Sequence, residues 1–423
     1  MPIPFQCLAA LLACALAACA TPRASSTAPP AAASSVSADR SVLLVSLDGF
    51  RADYLDRGIA PHLARIAREG VRARWMTPAY PSLTFPNHYS MVTGLVPDHQ
   101  GIVHNTMHDA ALGGFKLSDR MAVGESRWWG GEPIWVAAEK AGLRSAAMYW
   151  PGSEAAIGGV RPTRWNAYRD DAALPYQERV DTVLGWLSEP DATRPRIATL
   201  YFEGIDKAGH GYGPDSPQAH AAVRAADAAL GRLLRGLDAR GLRDRVDLIV
   251  VSDHGMATVP LGQLIAVEDV VPMEEATVVT IGQVITIAPK PGFERQVERR
   301  LLGAHDHYDC WRKGELPARW RYGTHPRIPP IVCQMHEGWD MLPRETIAQR
   351  PPHDRGSHGY DPALPSMRAL FVARGPSFRS GAVLEPFDNV DVYPLLARLL
   401  GLRAAPNDGD IAPLLPALRK AGP

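Results

Sequence analysis

Seven side chains of this 423-residue chain have the types needed to hold metal ions and attack an ester: Asp48, Thr84, Asp206, His210, Asp253, His254 and His358. Carboxylate and imidazole donors together suit Zn²⁺, and no thiol in the body of the chain competes as a ligand. Two such ions about 4 Å apart could clamp the attacking and leaving oxygens of an in-line displacement at phosphorus. Each piece alone has a plainer reading. A strand-end Asp such as Asp48 or Asp253 is most often a turn former or helix cap. His358, in Arg355-Gly356-Ser357-His358-Gly359, would by itself be an exposed loop residue. Asp206-x-x-x-His210 sets a carboxylate and an imidazole one turn apart if the segment is helical, with Gly209, Gly211 and Gly213 leaving the backbone uncluttered. Thr84, before Phe85-Pro86-Asn87, reads as a helix N-cap. That position is also suited to a nucleophile, because the helix terminus and a bound cation both favour the alkoxide.

The elements that must position these groups follow from apolar patterning. Ser41 to Leu47 is a continuous apolar run ending at Asp48-Gly49, as expected of a strand buried on both faces. Arg144–Tyr149, Arg196–Glu203, Val246–Ser252 and Met367–Ala373 read as further strands. Pro61–Glu69, a segment opening at Thr84 and stopped by Gly94, Glu132–Ala141, Ser216–Ala239 and Val390–Leu400 read as helices. Alternation of this kind predicts a mostly parallel sheet between helical layers. Asp48, Asp206 and Asp253-His254 then fall just past the carboxyl ends of strands, the edge where open α/β sheets bind ligands. Residues 277–330, with short β-rich pieces, Trp and Pro, read as a small α+β insertion.

The totals bound the function. Lys+Arg and Asp+Glu are both 45, so the formal charge is zero and no basic surplus points to a nucleic-acid polymer. Residues 1–19 read as a secretory leader whose apolar stretch is too short to span a bilayer. Leu16-Ala17-Ala18-Cys19 resembles a lipoprotein cleavage box, which would put a lipid anchor on Cys19; the segment before it lacks Lys or Arg, and simple cleavage near Ala20 is the alternative. Residues 20–40, rich in Ala, Ser, Pro and Thr, read as a flexible tether, and 41–418 as the catalytic domain. In an exported, periplasmic chain Cys310 and Cys333 are expected to pair, closing a loop that contributes roughly 3 kcal/mol in the chain-entropy model.

Taken in order, the motifs resemble the nucleotide pyrophosphatase/phosphodiesterase family of the alkaline phosphatase superfamily. They are Leu47-Asp48-Gly49-Phe50-Arg51, Pro81-Ser82-Leu83-Thr84-Phe85-Pro86-Asn87-His88, Gly94-Leu95-Val96-Pro97 with Gly101-Ile102 and Asn105, Trp150-Pro151-Gly152-Ser153-Glu154, Tyr201-Phe202-Glu203, Asp206-x-x-x-His210, Ser252-Asp253-His254-Gly255-Met256 and Gly356-x-His358-Gly359. The resemblance implies a three-layer α/β/α fold with a mixed, mostly parallel sheet. It implies two Zn²⁺ ions, one held by Asp206, His210 and His358 and the other by Asp48, Asp253, His254 and the Thr84 hydroxyl. Thr84 would attack the phosphodiester to give a phosphothreonine-type intermediate that water then hydrolyses. Asn105 and the Phe85 N–H would donate to the non-bridging oxygen. One departure is Glu203-Gly204-Ile205 before Asp206, where the family often has two acidic residues.

For the substrate, the resemblance implies a nucleotide base held among aromatic walls, with Phe85, Tyr168, Tyr201 and Leu117 as the candidates here, and cleavage to a nucleoside 5′-monophosphate. A lipid phosphodiesterase on the same scaffold would need a cationic-headgroup cage, for which Trp128-Trp129 is the candidate. A phosphomonoesterase is disfavoured by Thr84 with Asn105 in place of Ser and Arg. A zinc-binding envelope protein without activity is the alternative outside enzymes.

Overall fold

The computed structural model describes residues 40–168 and 174–420. The leader, most of the tether and Cys19 lie outside them.

Eight strands form the main sheet: β1 (Ser41–Leu47), β2 (Val71–Ala73), β3 (Ser145–Met148), β4 (Arg164–Asn166), β5 (Ile197–Phe202), β6 (Val246–Val251), β7 (Phe371–Arg374) and β8 (Ala382–Leu384). Their order is β8-β2-β7-β6-β1-β5-β3-β4. The run β6-β1-β5-β3-β4 is parallel throughout. Every residue of β1, β5 and β6 is buried, which is why each reads as an unbroken apolar run. Strand β7 pairs antiparallel with both β6 and β2. It begins at Phe371, later than the patterning predicts, because Pro365–Met367 turns as a short 3₁₀ helix before it.

The helices needed here are α1 (Pro61–Glu69), α2 (Thr84–Thr93), α3 (Tyr176–Leu187), α4 (Gly204–Tyr212), α5 (Pro217–Ala239) and α6 (Val392–Leu399). Helix α5 packs against α1, α3 and α4, and α2 packs against α6, giving a helical layer on each face of the sheet. The Ser216 hydroxyl caps α5 by accepting from the Ala219 N–H, with Pro217 at the first turn. Gly94 ends α2 at φ 69°, a conformation only glycine adopts without strain. A second, antiparallel sheet of five strands spans Ala276 to Met335. It reaches past residue 330, and its own buried cluster includes Ile285, Ile287, Val297, Cys333 and Met341. Cys310 and Cys333 face each other across adjacent strands of this sheet and form a disulfide.

Candidate active site

Strands β6, β1 and β5 lie side by side, and the chain leaves all three at the same edge carrying a carboxylate. Asp48 follows β1 directly, Asp253 lies two residues past β6, and Asp206 sits in the first turn of α4 after β5. Gly49 makes the turn after Asp48 at φ 69° and donates its N–H to Asp253 Oδ1 at 3.2 Å. A side chain on Gly255 would run into the Ser366 carbonyl oxygen, so this glycine allows a close backbone approach. Residues 204–212 are helical, which stacks His210 one turn beyond Asp206.

The side chains converge in two overlapping groups. His210 Nε2 and His358 Nε2 lie 3.5 and 3.4 Å from Asp206 Oδ1. His254 Nε2 lies 3.6 Å from Asp48 Oδ1 and 2.9 Å from Asp253 Oδ2. Ligand atoms of Asp206, His210 and His358, and of Asp48, Asp206 and His254, each fall within 4.8 Å of one another. Asp206 thus stands between the groups, and Asp253 reaches the second through His254. The Thr84 hydroxyl is 3.4 Å from His254 Nε2. Leu83, not Thr84, occupies the N-cap of α2, and its side chain makes no capping bond. The Thr84 hydroxyl is therefore not spent on a capping bond.

All three imidazoles are oriented the same way. Nδ1 of His210, His254 and His358 contacts the carbonyl oxygen of Gly356, Gly255 and Ser82 at 3.0, 2.8 and 2.8 Å. A carbonyl can only accept, so each Nδ1 carries a proton and each Nε2 is the ring nitrogen aimed at the centre. Asp48 Oδ1, Asp206 Oδ1 and Asp253 Oδ2 are buried without a hydrogen-bond partner. Uncompensated buried carboxylate oxygens are costly. Burial, reinforced by the charges of Asp253 and Asp206, pushes the Asp48 carboxyl well above the usual carboxylate range. Burial also opposes ionisation of Asp253, but His254 and His88 overcome it and hold that carboxyl low. Burial and the neighbouring His254 and His210 hold His358 well below its ordinary value, leaving it neutral. Three orphaned carboxylate oxygens grouped with three imidazole Nε2 atoms fit divalent cations, which would neutralise the charge and take both donor types as ligands.

Around this centre the structure refines several expectations. Asn105 Oδ1 accepts the Phe85 N–H at 2.9 Å, so that N–H is already engaged and only the Asn105 amide NH₂ is left to donate. Tyr201, like Phe85 and Tyr168, is buried, and its hydroxyl is engaged, donating to Asp48 Oδ2. Phe85 and Tyr168 meet edge to face with centroids 4.9 Å apart. A base between two parallel ring faces needs about 7 Å, twice the aromatic contact distance, so these two are not opposite walls of an open slot. Leu117 is half-buried, its N–H bonded to the Asn105 carbonyl at 3.0 Å. Trp128 and Trp129 are core residues; Trp128 already carries the Arg327 guanidinium 4.6 Å over its ring, and Trp129 donates to the Val123 carbonyl. The Glu203-Gly204 departure is also accounted for. Glu203 pairs with buried Arg179 at 2.6 Å, and any side chain on Gly204 would strike the Tyr176 hydroxyl that accepts its N–H.

His88 closes the motif that holds Thr84, and the motif assigns it no role. His88, fully buried, contacts the Thr84 carbonyl through Nδ1 at 2.8 Å and Ser46 Oγ through Nε2 at 2.7 Å. Its spacing, one helical turn after Thr84, is the signal that could have exposed it.

An α/β/α sandwich with this carboxylate–imidazole centre beside a buried threonine at the sheet's carboxyl edge belongs to the alkaline phosphatase superfamily. Within it, the model of the type I phosphodiesterase / nucleotide pyrophosphatase family matches residues 42–361, and the chain belongs to that family. It is 36% identical over 393 residues to human ectonucleotide pyrophosphatase/phosphodiesterase family member 7, covering 89% of this chain and 83% of the relative. It is 35% identical over 373 residues to a bis(5′-adenosyl)-triphosphatase of Xenopus laevis, covering 88% of this chain and 80% of that protein. Among solved structures, an inactive threonine-to-alanine variant of murine ectonucleotide pyrophosphatase/phosphodiesterase 5 in complex with AMP superposes with a TM-score of 0.84. It shares 35% identity and covers 90% of this chain and 100% of its own. The chain is a phosphodiester hydrolase of a metal-dependent family. Among the described residues no helix is long and apolar enough to cross a membrane.

Proposed function

We propose that this protein is a zinc-dependent nucleotide pyrophosphatase/phosphodiesterase that releases nucleoside 5′-monophosphate from nucleotide diesters and anhydrides. The observation that carries the reading is the convergence of three unpartnered buried carboxylate oxygens and three oriented imidazoles next to the Thr84 hydroxyl. Asp206, His210 and His358 would hold one Zn²⁺, and Asp48, Asp253, His254 and Thr84 Oγ1 the other. Bound there, the cations supply a lowered hydroxyl pKa and neutralisation of phosphoryl charge.

The chain's own residues do the rest. Thr84 Oγ attacks phosphorus in line, the Oγ–P bond forms as the leaving-group bond breaks, and the phosphothreonine intermediate keeps the nucleoside. Water then attacks the same phosphorus and Thr84 leaves. Asn105 donates its amide N–H to a non-bridging oxygen while its carbonyl is fixed by the Phe85 N–H. His88 holds the Thr84 carbonyl and with it the first turn of α2. Tyr201 orients Asp48. Phe85, Tyr168 and Leu117 form one apolar flank for the base, with the Phe85–Tyr168 edge contact opening to admit it. The AMP-bound relative and the relative named for a dinucleoside triphosphate support a nucleotide over a lipid substrate, as does Trp128 having its cation partner already within the chain. The leader reading makes the enzyme periplasmic and exported, with Cys19 as the anchor if it is lipidated.

Side-by-side rates on a nucleotide diester, a phosphate monoester and a phosphocholine ester test the substrate class. The diester is expected to be fastest; a preference for either of the others overturns the assignment.

A further inference from the structure

Of the metal-binding groups, His210 is the least enclosed. Its side chain is 38% exposed, whereas those of His254 and His358 are 0% and 5% exposed. Something other than packing must therefore hold its ring. The strand Arg355–Ser357 supplies it. His210 Nδ1 donates to the Gly356 carbonyl at 3.0 Å, and Arg355 Nε donates to the His210 carbonyl at 2.8 Å. Adjacent residues thus grip one histidine by ring and backbone. Gly356 permits the approach, since a side chain there would collide with the Gly209 carbonyl oxygen. The same strand pairs antiparallel with Ala257–Val259, just beyond Asp253-His254, and runs directly into His358.

We propose that Arg355 is a positioning residue that fixes His210 and thereby sets the affinity of the Asp206–His210–His358 group for its cation. This rests on the two-metal reading and goes beyond it, because it assigns the control of one site to a residue that touches neither cation nor substrate. Without the guanidinium the last turn of α4 is free to shift, and the exposed imidazole loses its fixed aim. The second group, walled by fully buried Asp253 and His254, has no bond to Arg355 and keeps its affinity. Outer-shell partners of metal-bound histidines typically change affinity 10- to 100-fold, roughly the effect expected here at one site.

The test is Zn²⁺ titrated by calorimetry into the chelator-treated full chain, comparing wild type, Arg355→Gln and Arg355→Lys. Wild type should show two binding events. Arg355→Gln should weaken one of them about 10- to 100-fold and leave the other within about twofold. Arg355→Lys should recover part of the loss, because its ammonium can still reach the carbonyl with a single donor. Wild-type affinity at both sites in Arg355→Gln overturns the proposal. So does an equal loss at both sites with a lowered melting temperature, which would make Arg355 merely structural. Wild type that takes up no zinc at all sinks the two-metal reading itself, and the clamp with it.

Discussion

Tyr201→Phe separates two roles that a buried tyrosine beside a substrate site could have. The change deletes one oxygen and keeps the ring. In the structure that oxygen donates to Asp48 Oδ2, and Asp48 Oδ1 has no protein partner. Removing the hydroxyl would leave a buried carboxylate with none of its hydrogen bonds from side chains. A hydrogen bond to a charged group is worth about 1.5–3 kcal/mol, more when its loss strands a buried partner. At about 1.4 kcal/mol per tenfold, that is roughly 10- to 150-fold in zinc affinity at the Asp48–His254 group. The assay is activity against buffered free Zn²⁺. Tyr201→Phe should need 10 to 100 times more zinc for half-maximal rate, with the nucleotide KM unchanged at saturating metal. A wild-type zinc curve with a raised KM would refute the reasoning and return Tyr201 to the substrate wall.

Four further outcomes follow from the same geometry. Thr84→Ala should lower diester hydrolysis more than about a thousandfold while both zinc ions remain bound, since the other ligands are intact; unchanged hydrolysis would exclude a covalent route. Chelation should abolish activity and lower the melting temperature. A ligand at 100 times its Kd stabilises the fold by about 2.7 kcal/mol, and three buried carboxylates lose their counter-charge; a chelated protein that melts unchanged would contradict this. Burial lowers the His104 imidazole from 6.5 to about 4. The unfolded chain then binds the extra proton first, so this contribution is present above pH 6.5 and is lost as pH falls toward 4. The loss is about 3 kcal/mol, and denaturant midpoints at the two ends of that window should converge in His104→Leu. Replacing Cys310 and Cys333 by Ser should cost roughly 3 kcal/mol for a bridge spanning 23 residues, read as a shift in denaturation midpoint without loss of zinc.

The parts of the fold legible in the sequence are those whose physics is local. The central strands are buried on both faces, so SVLLVSL and VDLIVV read as strands without any partner being known. Ser216-Pro217 announces α5 because cap and first turn lie within four residues of each other. The carboxylates were findable for the same reason, each standing just past an apolar run. What stayed hidden depends on pairing across the chain. The antiparallel direction of β7 is set by its neighbours β6 and β2, and an apolar stretch carries no sign of direction. The role of Tyr201 depends on Asp48, which follows the neighbouring strand and stands 153 positions away. Asn105 and Phe85 are 20 positions apart, and the bond between them takes up a donor that motif logic leaves free. The Arg355 clamp joins residues 145 positions apart through a backbone carbonyl, which no residue type advertises.

The central claim is that Thr84, and not water, first attacks phosphorus. Hydrolysis of a nucleotide phosphorothioate diester of known chirality in isotopically labelled water tests it most directly. Two in-line displacements, each inverting, predict net retention of configuration at phosphorus. Net inversion would mean a single attack by water and would contradict the account.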